Sequence, residues 1–489
     1  MKSTVWMLTL LSLLSSVSLI ACSDSTDTPQ VSGTTDSMTE TFAETEETAV
    51  PLNLPEVDYE QRTFTVLATE HASYEYVAEE SGDIVEDAVY RKNRAVEERL
   101  GIAFEFITAP GHWADKDSFN ALIKNSIMAN DGAYDLISGT MVCVLPIAAE
   151  GYFLNALDLE HIQFENPWWV QDMKEKLAIG GKLFGFVGDA SLSLYKDLSV
   201  IYFNQKLIAD YDLEDPYALV IDGKWTVDKV LEMAAAVSSD VNGDGKMTIG
   251  DDLFGYYYHA VPQRTWQTAT EFSSIAYDDH DMPYMTPLQD RDTELFFKVL
   301  DFFERENVVG IDGIPHPDIC AVFAADQVLF LNEFLYGTDY LRDMKSDFGI
   351  VPQPKRDEAQ TQYHTQVGTS TSTFFIPTTV TDAELTSMVC EALSYYSWLE
   401  VIPAYYEVAL KEKYNRDDTV KEMLNIIRDS AEVNFTFAYS TMFNPSINEL
   451  LPSYWQKANN DVASWYAKNE KSWTKTIESI VEQYQDIES

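Results

Sequence analysis

The chain has 489 residues, enough to bury more than one core, and 46% of them are hydrophobic, as in a globular protein. Its 80 acidic residues outnumber its 33 basic residues and give a net charge of -47. Because phosphate contacts need clustered cations, this balance argues against a nucleic acid as partner. The sequence also lacks a P-loop motif, so we do not expect the chain itself to hydrolyse ATP.

The amino terminus carries an apolar run, residues 5–20, after Lys2. The run is shorter than a typical transmembrane helix and predicts a secretory signal peptide over residues 1–22. It ends in Leu-Ile-Ala-Cys at 19–22, which resembles the lipobox of bacterial lipoproteins. That resemblance implies a lipid on Cys22 that anchors the chain at the extracellular or periplasmic face of a membrane. The alternative is ordinary signal cleavage beside an incidental cysteine.

The next segment, residues 23–59, is predicted to be a disordered acidic tether. Up to Pro55 it is dominated by Ser, Thr, Glu, Asp and Pro and has neither Lys nor Arg, so it cannot bury enough apolar surface to offset its ordering entropy.

Residues 60–489 form the predicted folded body. Its three cysteines are Cys143, Cys320 and Cys390. Their number and spacing exclude a disulfide framework and a cysteine-based zinc site, although one bridge is possible.

Strand and helix signals alternate at the start of this body. Residues 63–68 are predicted to form a strand, and Asp83 with Glu86 is a capping box that begins a helix. Gly101 ends that helix, and residues 102–108 form the next predicted strand. This is a β-α-β unit, which favours a parallel sheet with a right-handed crossover.

The same signals continue along the chain. In parallel sheets ligands bind beyond the carboxyl ends of the strands, which makes Thr140, after the third predicted strand, a candidate ligand contact. Thr226 is a predicted helix cap. The other predicted elements are a helix around 119–127, strands at 134–138, 182–187 and 198–204, and helices at 385–398 and 465–484.

Several segments together resemble the family 1 extracellular solute-binding proteins, the carbohydrate-capturing subunits of ABC importers. They are Lys-Leu-Phe-Gly at 182–185, Ile-Tyr-Phe-Asn-Gln-Lys at 201–206, Trp-Thr at 225–226, and the runs at 93–101, 134–136 and 347–355.

The resemblance implies a two-lobed periplasmic-binding-protein-like α/β fold, with mixed, mainly parallel sheets in two lobes joined by several hinge crossings. The first lobe would combine residues 60–188 with 352–398, and the second 193–349 with 399–489. The crossings would lie near 186–196, 349–354 and 396–402.

The loop from Asp240 to Asp251 fits the calcium-loop pattern Asp-x-Asn-x-Asp-Gly. Oxygen atoms at alternating positions can converge on one hard cation, here from Asp240, Asn242, Asp244 and Asp251 and from the Lys246 carbonyl. The loop ends in Asp where an EF-hand has Glu, which shortens its reach. A structural calcium ion is predicted, and an acidic turn without metal is the alternative.

A sugar site needs aromatic faces for the ring and polar groups for the hydroxyls. We expect Asp189 and Glu333 to contact hydroxyls, although each could instead be a capping or solvated acid. The candidate rings lie in loop-like or strand-end contexts, and any of them could instead belong to the core. They are Trp113, Trp168, Trp169, Tyr195, Trp266 and Tyr336.

The predicted function is therefore a monomeric, lipid-anchored binding protein that captures a carbohydrate between two lobes and delivers it to an ABC permease in the membrane. An enzyme is not expected. A surface glycan-binding sensor or adhesion lipoprotein is one alternative. A glycoside hydrolase that uses Asp189 and Glu333 as its carboxylate pair is the other. The seven histidines are scattered without paired spacing, which argues against a catalytic zinc ion.

Overall fold

The structure of the protein, a computed structural model, describes residues 50–259, 262, 264–303, 305, 308–311, 315–411, 418–447 and 462–487. The predicted signal peptide, the predicted lipidation site Cys22 and most of the predicted tether lie outside the described residues. Within the described part of the chain, each helix is either too short or too polar to span a bilayer.

The strands, in chain order, are β1 (Arg62–Thr69), β2 (Ile102–Ala109), β3 (Leu136–Thr140), β4 (Ser199–Asn204), β5 (Phe254–His259), β6 (Ile275–Tyr277), β7 (Pro283–Met285), β8 (Val308–Ile311), β9 (Val328–Phe334), β10 (Phe348–Val351), β11 (Thr365–Gln366), β12 (Ser372–Phe375) and β13 (Ala431–Glu432).

The α-helices are α1 (Ile84–Leu100), α2 (Lys116–Ala129), α3 (Met141–Ala148), α4 (Met173–Leu177), α5 (Leu192–Lys196), α6 (Gln205–Asp210), α7 (Pro216–Ile221), α8 (Val227–Val237), α9 (Trp266–Ala269), α10 (Asp290–Phe303), α11 (His316–Ala324), α12 (Ala383–Tyr396), α13 (Ile402–Lys411), α14 (Asp418–Asp429), α15 (Phe435–Ala438) and α16 (Val462–Asp486). A π-helical segment covers Ser397–Val401, and 3-10 turns cover Glu70–Glu75, Ala156–Asp158, Leu335–Tyr340 and Ser440–Met442.

The first sheet has the strand order β12-β3-β1-β2. β1 pairs in parallel with β2 and β3, and β12 runs antiparallel to β3. Because α1 lies between β1 and β2 in the chain, the predicted parallel β-α-β unit is present. Thr140 at the end of β3 pairs with Ser372 at the start of β12, so both lie at the same edge of the sheet.

The second sheet has the order β10-β4-β9-β5-β8. β5 is parallel to its neighbours β9 and β8, whereas β4 runs antiparallel to β9 and β10. Ser199 at the start of β4 pairs with Phe334 at the end of β9. The chain thus enters this sheet at the edge where its parallel strands end.

Local signals explain the boundaries of α1. The Asp83 carboxylate accepts hydrogen bonds from the backbone N–H groups of Val85 and Glu86, both at 3.0 Å, which caps the helix. Gly101 ends it with a φ of 67°, in the left-handed region. A Cβ atom at Gly101 would lie 2.1 Å from the Asp58 carboxylate, so this position needs glycine for space as well as for conformation.

The strand predicted at residues 182–187 is wrong. Gly180 and Gly181 do form a turn with positive φ, but the following residues make only isolated bridges, among them one between Phe186 and Phe374. Leu183 and Phe184 are buried at 1% and 2% exposure. The apolar run reflects burial on all sides, which the hydrophobic pattern alone cannot distinguish from a strand.

Residues 54–59, at the end of the predicted tether, are held against the end of α1. Arg99 donates to the carbonyl oxygens of Leu54 and Pro55 at 2.7 and 2.9 Å, and the Tyr59 N–H donates to the Leu100 carbonyl.

The helices α13 and α14 pack against different sheets or their helices. α13 packs against α1, whereas α14 packs against β10 of the second sheet. The residue bounds proposed for the two lobes stay a prediction.

The segment between β10 and β12 passes from the second sheet to the first and contains a charged joint. Its β11 pairs with β13, and beside it His364 Nδ1 lies 3.0 Å from Glu432 Oε2. His364 Nε2 lies 3.5 Å from Glu271 Oε1. The hydrogen bond to Glu432 is the main cause that raises the pKa of His364 above its ordinary value.

We expect this joint to stabilise the protein more at acidic pH than at alkaline pH. Because the folded pKa of His364 is raised, its contribution is fully present below the unfolded pKa of about 6.5 and is lost as the pH rises through the folded pKa. The substitution His364→Gln should therefore reduce the free energy of unfolding by about 1 kcal/mol at low pH and by much less in alkali. Urea denaturation at both pH values measures the difference, with His280→Gln in an exposed loop as control. An equal loss at both pH values would contradict the assignment.

Candidate functional site

The edges at which the parallel strands of the two sheets end lie on either side of the first crossing of the chain. The short helix α5 in this crossing contacts both the 3-10 turn that follows β1 and the 3-10 turn that follows β9. Each turn lies beyond the carboxyl end of a parallel strand, the usual position of ligand sites in α/β sheets. The candidate site consists of these two edges and the crossing between them.

Buried hydrogen bonds hold the crossing in place. The Ser193 N–H donates to Glu75 Oε1 at 2.6 Å, and Ser193 Oγ accepts from the Ser372 N–H at 2.9 Å. The Ser191 hydroxyl donates to the Ser372 carbonyl at 2.8 Å. These bonds join the crossing, the turn after β1 and the start of β12. Burial raises the pKa of Glu75, and its bond from Ser193 acts in the opposite direction.

The edge of the first sheet carries two histidines and a tryptophan. His71 Nε2 lies 3.3 Å from the Ser370 carbonyl, so this nitrogen must carry the hydrogen. His112 Nε2 lies 3.1 Å from Ser370 Oγ, and the two imidazole rings are 4.7 Å apart. Burial lowers the pKa of both histidines below its ordinary value, because it disfavours the charged imidazolium. The Trp113 ring meets His112 edge-on and is 41% exposed, as a stacking platform for a ligand requires.

Thr140, a predicted ligand contact, does lie at this edge. Its side chain is fully buried and its hydroxyl is 3.3 Å from the Gly111 carbonyl. It also lies 3.4 Å from His71 Nε2. In this structure the buried Thr140 side chain therefore contacts the loop after β2 and the His71 ring, and it is not exposed to a ligand.

The edge of the second sheet carries a cluster around Glu333, which is fully buried at the end of β9. His316 Nδ1 lies 2.8 Å from Glu333 Oε2, and the His316 ring stacks on His259 with centroids 4.1 Å apart. The Tyr336 ring meets His316 edge-on at 5.2 Å and is half-buried. The exposed Tyr340 ring lies 6.2 Å from Tyr336 and extends this aromatic surface.

Asp197 and Lys196 lie in the crossing between the two edges. Burial, together with Glu75 on one side and Glu333 on the other, raises the pKa of Asp197 to about 7, while Lys196 opposes the shift. The Lys196 ammonium lies 5.1 Å from the centroid of the Tyr74 ring, a cation–π contact. It is also 3.7 Å from Asp339 in the turn after β9, so it links the two edges.

Asp189 and Tyr195, both predicted to touch the ligand, are instead buried together at a structural joint. The Tyr195 hydroxyl donates to Asp189 Oδ1, and Arg428 from α14 donates to Asp189 Oδ2 at 3.2 Å. Burial raises the pKa of Asp189 to about 7 against the opposing effects of Arg428 and the Tyr195 hydroxyl. Neither side chain presents its polar group to solvent, at 3% and 2% exposure.

The three other predicted tryptophans are buried. The indole N–H groups of Trp168 and Trp169 donate to the two oxygens of Glu391 at 3.0 and 2.9 Å. Trp266 is 1% exposed and packs edge-on against Tyr256. A buried ring cannot stack on a ligand, so these rings act in packing in this structure.

The predicted calcium loop is exposed, and its oxygen atoms face its own backbone. Asp240 accepts from the N–H groups of Gly243 and Gly245 at 2.6 and 2.8 Å, and the side chains of Asn242 and Asp244 each accept from the N–H two residues on. These hard oxygen donors are of the type that calcium takes. Among the residues that the structure describes, however, no three His, Cys, Asp or Glu side chains are gathered as a metal site.

Sequence reasoning missed much of this site. Of the seven histidines, His71, His112, His259 and His316 pair in space at the two edges, although they are scattered along the chain. One signal was available, because His71 and His112 come shortly after predicted strands.

Cys143, Cys320 and Cys390 are all buried and free, as small core residues.

Solved structures with the same architecture include proteins that bind sugars. One is the galacto-N-biose/lacto-N-biose I-binding protein of an ABC transporter from Bifidobacterium longum, at 10% identity and a TM-score of 0.54 over 86% of this chain and 98% of that one. RafE from Streptococcus pneumoniae matches at 13% identity and a TM-score of 0.52, over 88% of this chain and 99% of that one. The GacH receptor of Streptomyces glaucescens matches at 12% identity and a TM-score of 0.50, over 88% of this chain and 100% of that one.

No protein-family model matches the sequence, and no curated protein matches it significantly. The structural matches cover nearly all of the solved chains and most of this one. At such low identity they establish the fold and not the ligand. The chain therefore has the two-lobed α/β fold of periplasmic binding proteins, which confirms the fold class predicted from its sequence.

Proposed function

We propose that this protein is a member of the family 1 solute-binding proteins, which captures an oligosaccharide between its two lobes and delivers it to an ABC permease. The observation that carries the proposal is the pair of facing edges, one with the exposed Trp113 ring and the other with Tyr336, Tyr340 and His316. Exposed rings beside hydrogen-bonding groups match the apolar faces and hydroxyl rim of a sugar. Closure of the lobes on the ligand would be a hinge motion about the crossings.

Two further features support a binding role at the cell surface. Solved proteins with this fold include a subunit of an ABC transporter and a receptor in complex with acarbose. The amino-terminal run that ends at Cys22 resembles a lipobox and would keep the protein near a membrane permease. We propose that it acts as a monomer. A pair of permease genes beside its own gene would favour import over the alternative of a glycan sensor or adhesion protein.

A glycoside hydrolase is less well supported by the geometry. Such an enzyme needs two carboxyl groups that reach the scissile bond from the cleft. Asp189 is buried against Tyr195 and Arg428, and both oxygens of Glu333 are engaged by protein groups. Neither carboxyl group is free to protonate a sugar oxygen in this arrangement. We therefore propose binding without turnover.

We expect wild-type protein to bind at least one neutral oligosaccharide in calorimetry with a panel that includes lacto-N-biose, acarbose and maltotetraose. The substitution Trp113→Ala or Tyr336→Ala should weaken binding about tenfold, because each removes a ring of the proposed site, exposed in Trp113 and half-buried in Tyr336, worth about 1 to 1.5 kcal/mol. Tyr284→Ala is the matched control, since this ring is 49% exposed on β7. Hydrolysis of a panel sugar would favour the hydrolase, and the absence of any binding would refute the proposed function.

We also propose that the loop from Asp240 to Asp251 binds a structural calcium ion. The support is its alternating oxygen donors and its exposure to solvent. Calcium at a hundredfold excess over its Kd should stabilise the folded protein by about 2.7 kcal/mol relative to EGTA. Thermal unfolding of wild type and of the double variant Asp240→Asn, Asp244→Asn tests this. Asp279→Asn in an exposed loop is the control, and an equal response of all three proteins to calcium would argue against the site.

The proposed lipid anchor has its own test. Full-length protein expressed with its native amino terminus in a bacterial host should incorporate labelled palmitate and fractionate with membranes. The Cys22→Ala variant should lose both properties, because one thiol carries the proposed lipid attachment. Membrane retention of that variant, or unlabelled wild-type protein, would show that Cys22 is not the anchor.

A further inference from the structure

We propose that His316, held in place by Glu333, accepts a hydrogen bond from a hydroxyl group of the bound sugar. This rests on the proposed function and adds a specificity-determining residue to it. Glu333, which the sequence predicts as a direct contact, becomes a positioning residue that acts through His316.

Both oxygens of the Glu333 carboxylate already have a hydrogen-bond partner inside the protein. Its Oε1 atom accepts from the backbone N–H of Phe334 at 2.7 Å, and its Oε2 atom lies 2.8 Å from His316 Nδ1. The side chain is completely buried. A buried carboxylate needs such partners, because an unpaired charge inside a protein is costly.

This pairing fixes the tautomer of His316. An ionised carboxylate only accepts hydrogen bonds, so His316 Nδ1 must carry the hydrogen that it donates to Glu333. In a neutral imidazole the other nitrogen, Nε2, is then an acceptor. The same rule applies where a carboxylate orients a catalytic or metal-binding histidine.

Neighbouring rings restrict rotation of the imidazole. His259 stacks on it with planes 27° apart, and Tyr336 meets its edge at an interplanar angle of 75°. Phe334 lies 6.1 Å away. The hydrogen bond to Glu333 and these ring contacts hold Nε2 in one direction before a ligand arrives. Such preorganisation reduces the ordering cost of binding.

The His316 side chain keeps 27% of its surface exposed, and in the described part of the chain no protein group is hydrogen-bonded to its Nε2 atom. Its position is next to the crossing, since its ring contacts Tyr336 in the turn after β9, which α5 of the crossing also contacts. An accessible, oriented acceptor at this point suits a hydroxyl donor. A carboxylate of an acidic sugar would meet it acceptor to acceptor and beside Asp197, an unfavourable arrangement.

Three variants separate these roles. His316→Phe keeps a ring and removes both nitrogens. His316→Gln can still donate its amide to Glu333 and offer its carbonyl oxygen to the ligand. In Glu333→Gln, the Phe334 N–H selects the amide oxygen, so the amide nitrogen faces His316 and forces the opposite tautomer. His280→Gln is the matched control in an exposed loop.

We expect His316→Phe and Glu333→Gln each to weaken binding about tenfold for whichever of lacto-N-biose, acarbose or maltotetraose binds wild-type protein best. The double variant should be no weaker than His316→Phe, because both act on one contact. His316→Gln and the control should stay within about threefold of wild type. Nitrogen NMR of the imidazoles should show a hydrogen on His316 Nδ1 in wild type, its transfer to Nε2 in Glu333→Gln, and a shift of Nε2 on ligand addition.

Unchanged affinity of His316→Phe in a wild-type background that binds sugar would overturn this inference and leave the proposed function intact. Absence of binding by wild-type protein would overturn both. If His316→Phe fails to fold, the Glu333→Gln variant provides the test. It exchanges one carboxylate oxygen for an amide nitrogen, and we expect its loss of affinity to occur together with the change of tautomer seen by NMR. An Nδ1 atom without hydrogen in wild-type protein would also refute the inference.

Discussion

The position of the cleft depends on a few buried hydrogen bonds around Ser193. Through its N–H and its hydroxyl this residue joins the turn that follows β1 to the start of β12, by way of Glu75 and Ser372. The crossing that carries Ser193 leads directly into β4 and also contacts the turn after β9. Any displacement of this junction would therefore move one ligand edge relative to the other. A chain that must place two sheets face to face needs such a fixed point between them.

The first crossing and the turn beside it carry carboxylates that the fold desolvates. Burial raises the pKa of Glu75, Asp189 and Asp197, in two of these cases to about 7. Each retains a local partner, such as Arg428 for Asp189, because a buried charge without one is costly. These acids thus serve first to orient neighbouring groups. The proposed ligand surface offers mainly the aromatic rings and imidazoles of the two edges, with Lys196 between them, and these groups suit an uncharged polyhydroxylated molecule.

The aromatic residues divide into two groups by what surrounds them. Trp168 and Trp169 are buried and share the Glu391 carboxylate, which lies in α12 more than two hundred residues further along the chain. Their indole N–H groups would otherwise be unsatisfied inside the protein. Trp113, by contrast, stays exposed beside His112. The same residue type therefore fixes a loop in one place and, in another, leaves an exposed ring that we propose as a binding face.

The sequence by itself determined the elements whose signals are local. The Asp83 cap, the Gly101 stop and the β-α-β unit follow from signals that are local in the chain, and the resemblance to solute-binding proteins implied the fold class. Only the tertiary structure decided which rings and acids reach the cleft, because each depends on a partner far away in the chain, as Glu391 is for Trp168. Hydrophobic patterns record that a residue is buried, but not what it is buried against. For the same reason four scattered histidines became two spatial pairs only when β1 paired with β2 in one sheet and β5 with β8 in the other.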